Sequence, residues 1–280
     1  MKRGGGRVAA GEGATPTWRI VCSRELRDLW IGGKALYLML IYTVLLGIYA
    51  YLFASNSELN LLPQREVVLE IVKVSIAVGL FVCLAIAADS FSGERERATL
   101  ESLLLTPTSR RQIALGKFLA ALSPWPVAPL IAIPYWLILA KGDPVLGPTA
   151  LWGVVLGTLL APAFTGMGML VSVWCNSNKT SMLVSLGLFL LLVLPAGFGP
   201  TERAAELQLR SDFIQWLNPM AATARFLQAT AVTRAPGNDL YTWMTTPVLF
   251  PIVVLVLLFA SVGPGLRLDA GASRMWTTPT

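Results

Sequence analysis

The sequence predicts an all-α membrane protein with six transmembrane helices, and three observations carry that prediction. Of the 280 residues, 55% are hydrophobic and 14% charged, whereas soluble domains carry about 25% charged residues. Six stretches are apolar over the roughly 20 residues that a helix needs to cross the hydrocarbon core. Within them the apolar residues run continuously, unlike the dyad alternation of a membrane β-barrel.

Residues 1–17, "MKRGGGRVAAGEGATPT", begin basic but have no apolar core behind the charge. They do not read as a cleaved signal peptide and predict a disordered cytoplasmic tail. Residues 18–34 interleave Ile20, Val21, Leu26, Leu29 and Trp30 with Arg19, Arg24, Glu25, Arg27 and Asp28. That mixture is too charged to cross a bilayer. It is amphipathic enough to lie along the inner interface, with Trp18 and Trp30 at headgroup level. Gly32 and Gly33 then permit the turn into the membrane.

A domain of residues 35–266 contains the spans 35–54, 67–88, 113–140, 150–174, 180–198 and 246–266. Span one carries no charge. Span two begins with Glu70 and Lys73, spaced to pair on one helix face. From Lys73 to Ala88 the helix rises about 22 Å, which puts the pair below the outer surface and well above the midplane. Two readings follow: a snorkelling pair at the outer interface, or a polar lining of an outer exit. Span three carries Pro124, Pro126, Pro129 and Pro134 and is therefore predicted to be kinked or broken. Span four repeats small residues at Gly153, Gly157 and Ala161. Such spacing lets helix backbones approach closely, either inside one bundle or at a dimer seam.

Residues 199–245 form an outer loop too long for a plain connector. It holds "FIQWLNPMAATARFLQA", which predicts short helices broken at Asn218–Pro219. These either lie on the outer surface or dip part way into the membrane. Residues 267–280 return as a second cytoplasmic tail. Trp125, Trp136, Trp152 and Trp174, near span ends, are expected to be interface anchors.

Orientation follows from the basic residues. Of the 22 Lys and Arg, fifteen fall on the side of the N-terminus and six on the other, with Lys73 inside a span. By the positive-inside rule both termini are cytoplasmic, in the cell's inner or plasma membrane.

One segment interrupts the grease. "DSFSGERERATLESLLLTPTSRRQIALGK", residues 89–117, crowds Glu94, Arg95, Glu96, Arg97, Glu101, Arg110, Arg111 and Lys117 between two spans. Ser92–Gly93 can start a helix, Leu100, Leu103 and Leu104 make an apolar stripe, and Pro107 stops it. Ser109 with Gln112 then has the spacing of a capping box at the start of span three. Lys117, one turn further in, is placed within snorkelling distance of the interface. A short cytoplasmic helix held between two spans over residues 89–112 transmits a push, because its movement must tilt both. Its mixed charge suits a reversible docking surface; the alternative is a solvated loop helix.

Several chemistries are excluded. There is no histidine, hence no Ser-His-Asp or Cys-His unit and no imidazole metal ligand. Cys22, Cys83 and Cys175 stand apart without zinc spacing, so no catalytic or metal-binding residue is assigned. The fragments "GGKAL" and "LGKFL" lack the spacing and the hydroxyl of a phosphate loop, so no ATP hydrolysis is expected from this chain. The basic excess is accounted for by membrane orientation and does not call for nucleic acid.

The segment after span two resembles the signature of ABC-2-type transporter permease subunits. Gly93, Glu94, Arg95, Glu96, Thr99, Leu100, Glu101, Leu103, Leu104, Pro107 and the Gly116–Lys117 pair match it, while Ala98 stands where the family more often has glycine. The resemblance also takes in "RELRDL", the span count and Asn218–Pro219. It implies a half-transporter that pairs with a second permease copy, identical or related, around a central path. Each copy would dock on a separate cytoplasmic ATPase dimer that uses ATP and Mg, the permease itself binding no cofactor. By this analogy Gly93, Glu94, Arg95, Glu96, Thr99, Leu100, Glu101, Leu104 and Pro107 make the ATPase contact. The loop "CNSNKTS", residues 175–181, would add a smaller one. The resemblance implies export of an unidentified substrate. The alternative is a mechanical relay to an extracytoplasmic protein, as suspected for family members associated with metal-site maturation.

Overall fold

The computed structural model describes residues 16–55, 63–99, 109–197, 216–230 and 237–265, and among them every regular element is helical. In chain order these are α1 (Thr17–Trp30), α2 (Lys34–Ser55), α3 (Gln64–Asp89), α4 (Ser92–Glu96) and α5 (Arg110–Leu122). They continue with α6 (Val127–Ala140), α7 (Leu146–Trp174), α8 (Asn178–Gly197), α9 (Pro219–Gln228) and α10 (Gly237–Gly265). Five helical stretches are long and apolar enough to cross a membrane: 34–55, 64–96, 110–140, 146–174 and 242–262. A sixth apolar stretch, 178–194, is shorter. The fold is thus an all-helical membrane bundle.

Local chemistry sets the helix ends. Gly33 takes φ +83°, a left-handed turn that glycine adopts without steric cost, and α2 starts at the next residue. Ser109 caps α5 by accepting from the Gln112 backbone N–H at 3.3 Å, as its spacing predicts. Span three breaks where its prolines cluster. Pro124 and Pro126 have no N–H to donate, and α5 gives way to α6 through a turn at residues 123–126. Pro134 stays inside α6.

The centre of the bundle is α3, buried along most of its length and packed on α7. The small residues of α7 make that contact possible. A Cβ at Gly153 would lie 2.7 Å from Val72 Cγ1 and 2.8 Å from Ile76 Cδ1. One at Gly157 would run into the Trp125 ring, and one at Gly168 into the Leu84 carbonyl. The stripe therefore serves packing inside the chain.

Trp125 and Trp136 depart from their expected role as interface anchors: each is only 5% exposed. Their indole N–H groups donate to Thr158 Oγ1 and Ser75 Oγ, both at 3.0 Å. A buried indole needs such a partner, and the prolines fold span three so that both rings turn inward. Leucines, isoleucines and valines on α2, α8 and α10 remain exposed along whole faces, as lipid-facing helices require.

Candidate functional site

The two ends of the bundle differ in chemistry, and the candidate site lies at the one where α1, α4 and the start of α5 meet. Here the charges of the segment after α3 are sorted by direction. Glu94 points to α5 and α1. Lys117, only 2% exposed, holds Nζ at 2.8 Å from both Glu94 Oε1 and Glu25 Oε1. It does not snorkel. A buried ammonium is stable only when paired and hydrogen-bonded, and this one has two carboxylates and the Phe91 ring 5.7 Å away. The triad carries one excess negative charge, and Glu94 Oε2 is buried without a hydrogen-bond partner.

Arg95 points the other way. Its guanidinium donates to the carbonyls of Cys175 and, at 3.3 Å, Val173. These lie at the C-terminus of α7, where carbonyls lack intrahelical donors and cations are favoured. Glu96 accepts from the Asn178 backbone N–H at 3.3 Å, at the N-terminus of α8, where anions are favoured. The alternation Glu-Arg-Glu thus fits three different acceptor or donor ends. Beneath it, Ser172 Oγ accepts from the backbone N–H groups of Phe91 and Ser92 at 3.0 and 2.9 Å. Ser181 Oγ donates to the Ala88 carbonyl at 2.6 Å. The loop at 175–181 is therefore bonded to the charged segment.

A Cβ at Gly93 would displace the Asp89 carboxylate, which pairs with Lys34 at the start of α2. After Glu96 the chain becomes exposed at Arg97, Ala98 and Thr99. Ala98 has φ +57°, just past the end of α4 at Glu96. A left-handed residue after a helix favours glycine, which is the residue the motif prefers at this position. Leu100, Glu101, Leu104 and Pro107 lie outside the described residues.

A cavity of about 240 Å³ opens between α1 and the segment, walled by Glu25, Asp28, Lys34, Asp89, Glu94 and Arg97 among others. The α1–α5 seam beside it is tight: a Cβ at Gly116 would lie 2.9 Å from the Trp18 carbonyl oxygen. Trp30 Nε1 donates to Ser123 Oγ at 3.0 Å across the same seam. Partial burial, and then the Glu25 charge, push the Cys22 thiol above its ordinary pKa, so it is a protonated, slow nucleophile at neutral pH.

At the opposite end Glu70 and Lys73 pair as their spacing predicts. They sit at the edge of a mostly apolar cavity of about 100 Å³, walled by Val74, Ala77, Val193, Met220 and Leu227 among others. Helix α9 forms part of that wall. Asn218 caps it, accepting from Met220 N at 3.0 Å, and donates Nδ2 to the Leu192 carbonyl at 2.8 Å. Phe226 and Leu227 pack with Leu69 and Leu156, so α9 is wedged between spans.

Sequence reasoning missed the Glu25–Lys117 and Lys34–Asp89 pairs. Their partners are 92 and 55 residues apart, and only the buried placement of Lys117 brings the first together.

Residues 19–263 match the family described as ABC-2 family transporter protein. The chain is 31% identical over 189 residues to "ABC transporter permease protein NatB" of Bacillus subtilis, a match covering 62% of this chain and 47% of that protein. It is 24% identical over 176 residues to "Probable multidrug ABC transporter permease YbhR" of Escherichia coli, covering 59% and 45% respectively. The chain spans about half the length of these curated relatives. It belongs to the ABC-2 transporter family.

Proposed function

We propose that this family member is the membrane permease of an ABC exporter, driven by a separate cytoplasmic ATPase through the charged end of the bundle. One observation carries the reading. Glu94, Arg95 and Glu96 bind α5, the end of α7 and the start of α8 in turn, so force on the exposed tip at Arg97–Thr99 reaches four spans at once. Because Glu94 and Arg95 are occupied inside the protein, the ATPase contact falls on the exposed tip and on Leu100, Glu101, Leu104 and Pro107 beyond it.

In this reading α8 is the remaining crossing. Its 20 residues rise about 30 Å, the thickness of the hydrocarbon core, which gives six spans. The excess of basic residues at the charged end sets that end and both termini in the cytoplasm. Two permease copies pair around the path, each above one ATPase subunit that binds ATP and Mg. The substrate leaves past α9 and the Glu70–Lys73 pair, whose cavity is the polar-edged opening on the outer side.

The test is co-purification and coupled flux in proteoliposomes with the ABC ATPase. Glu96→Lys with Arg97→Glu and Glu101→Arg should leave insertion intact and cut both ATPase binding and stimulated turnover at least tenfold. Full binding and turnover in that variant would reject the docking surface. Wild-type turnover without any solute flux would favour the relay role, in which motion passes to an extracytoplasmic partner.

A further inference from the structure

The cavity at the charged end carries a charge pattern that goes beyond the docking reading, with which it shares only Arg97. Its wall bears four cations, Arg24, Lys34, Arg97 and Lys117, and four carboxylates, Glu25, Asp28, Asp89 and Glu94. Most cancel locally. Arg24 pairs with Asp28 at 3.9 Å, and Lys34 with Asp89. Lys117 is shared by Glu25 and Glu94. What remains is one positive group, Arg97, which has no ion pair among the described residues, and one negative excess on the Glu25–Lys117–Glu94 triad. Glu94 Oε2 has no donor. An unpaired buried acceptor is costly, and the residue that carries it lines this wall.

We propose that this cavity binds the headgroup of a zwitterionic aminophospholipid, phosphatidylethanolamine. The headgroup carries a phosphate and a primary ammonium a few bonds apart, matching the two residual charges. Arg97 takes the phosphate, for which a guanidinium fork is well shaped. The ammonium is drawn to the Glu94 wall. A primary ammonium donates three N–H bonds; the trimethylammonium of phosphatidylcholine donates none. A net anionic headgroup would leave the triad uncompensated, unlike the basic pockets that take anionic lipids. Size and depth agree. Pockets for drug-sized ligands measure about 300–1,000 Å³, so a cavity of about 240 Å³ suits a headgroup and excludes a whole lipid. It lies at the junction of amphipathic α1 with the ends of α2 and α3, where a span meets the polar interface.

Because Arg97 also lies in the tip proposed to meet the ATPase, lipid binding is read on the permease alone. Native mass spectrometry of the purified full chain, offered equal phosphatidylethanolamine, phosphatidylcholine and phosphatidylglycerol, tests it directly. The ethanolamine lipid should be retained about tenfold over either competitor. Arg97→Gln, an exposed position whose change should leave the melting temperature unmoved, should abolish that preference. Equal retention of the three lipids, preference for phosphatidylglycerol, or indifference to Arg97→Gln would overturn the proposal. A soluble arm separates the source: glycerophosphoethanolamine at matched concentration should fail to displace the lipid. Displacement would mean that the site takes a free solute, and the lipid assignment would fall.

Discussion

The two ends of this bundle solve the same problem, how to close a set of membrane helices, by opposite means. At the charged end the closure is directional: a buried lysine between two carboxylates, an arginine on two carbonyls, a glutamate on a helix N-terminus. At the other end it is mainly shape: α9 is wedged between spans by Met220, Phe226 and Leu227, with the Asn218 bond to Leu192 and one half-exposed ion pair beside it. Directional contacts fail when one partner changes, whereas apolar packing yields gradually. In the proposed mechanism the end that passes force uses the first kind, and the end that opens uses the second.

Lysine removal at the two ends separates these modes most sharply. Lys117→Met leaves two carboxylates without their cation in a buried site and should cost about 3–5 kcal/mol, read as a lowered midpoint of denaturant unfolding in micelles. Lys73→Met breaks a pair whose side chains are 21% and 40% exposed, and after solvent screening should cost less than about 1 kcal/mol. Equal losses would erase the contrast.

Packing along α7 gives the next effect. Gly168→Val drives a side chain into the Leu84 carbonyl and should cost at least about 1–3 kcal/mol. Gly147→Val, at the other end of the same helix with nothing within 4 Å, should be close to neutral by the same assay. At the wedge, Asn218→Ala removes the cap of α9 and its bond to Leu192, a loss of about 0.5–2 kcal/mol. Hydrogen exchange of the α9 amides should rise with it while those of α4 stay protected.

The smallest effect has the opposite sign. Ala98→Gly relieves a left-handed alanine and should stabilise by about 0.5–1 kcal/mol, seen as a higher melting temperature. A loss of stability there would mean that the turn after α4 is set by contacts and not by the backbone.

Much of the fold was legible because membrane burial writes itself locally. Continuous apolar runs gave the helices, prolines 124 and 126 gave the break in span three, Ser109 gave a cap, and Asn218–Pro219 gave the break before α9. The Glu70–Lys73 pair was legible for the same reason, being one turn apart. What was not legible depends on distant partners. Lys117 reads as a snorkelling residue until Glu25, 92 residues earlier, is seen beside it. Trp125 and Trp136 read as interface anchors until the turn at 123–126 points them inward. In the charged segment the residue types and spacing were plain, and their directions were not: Glu94, Arg95 and Glu96 look outward in a string of letters and face three different helices in space.

In the proposed mechanism an external ATPase pushes on the tip at Arg97–Thr99. A photo-crosslinking amino acid at position 99, in cells co-producing the ABC ATPase, tests it most directly. The expected result is an adduct between the chain and the ATPase whose yield changes when ATP is trapped. Labelling of position 99 only from the extracytoplasmic side, with no ATPase adduct in any nucleotide state, would contradict it.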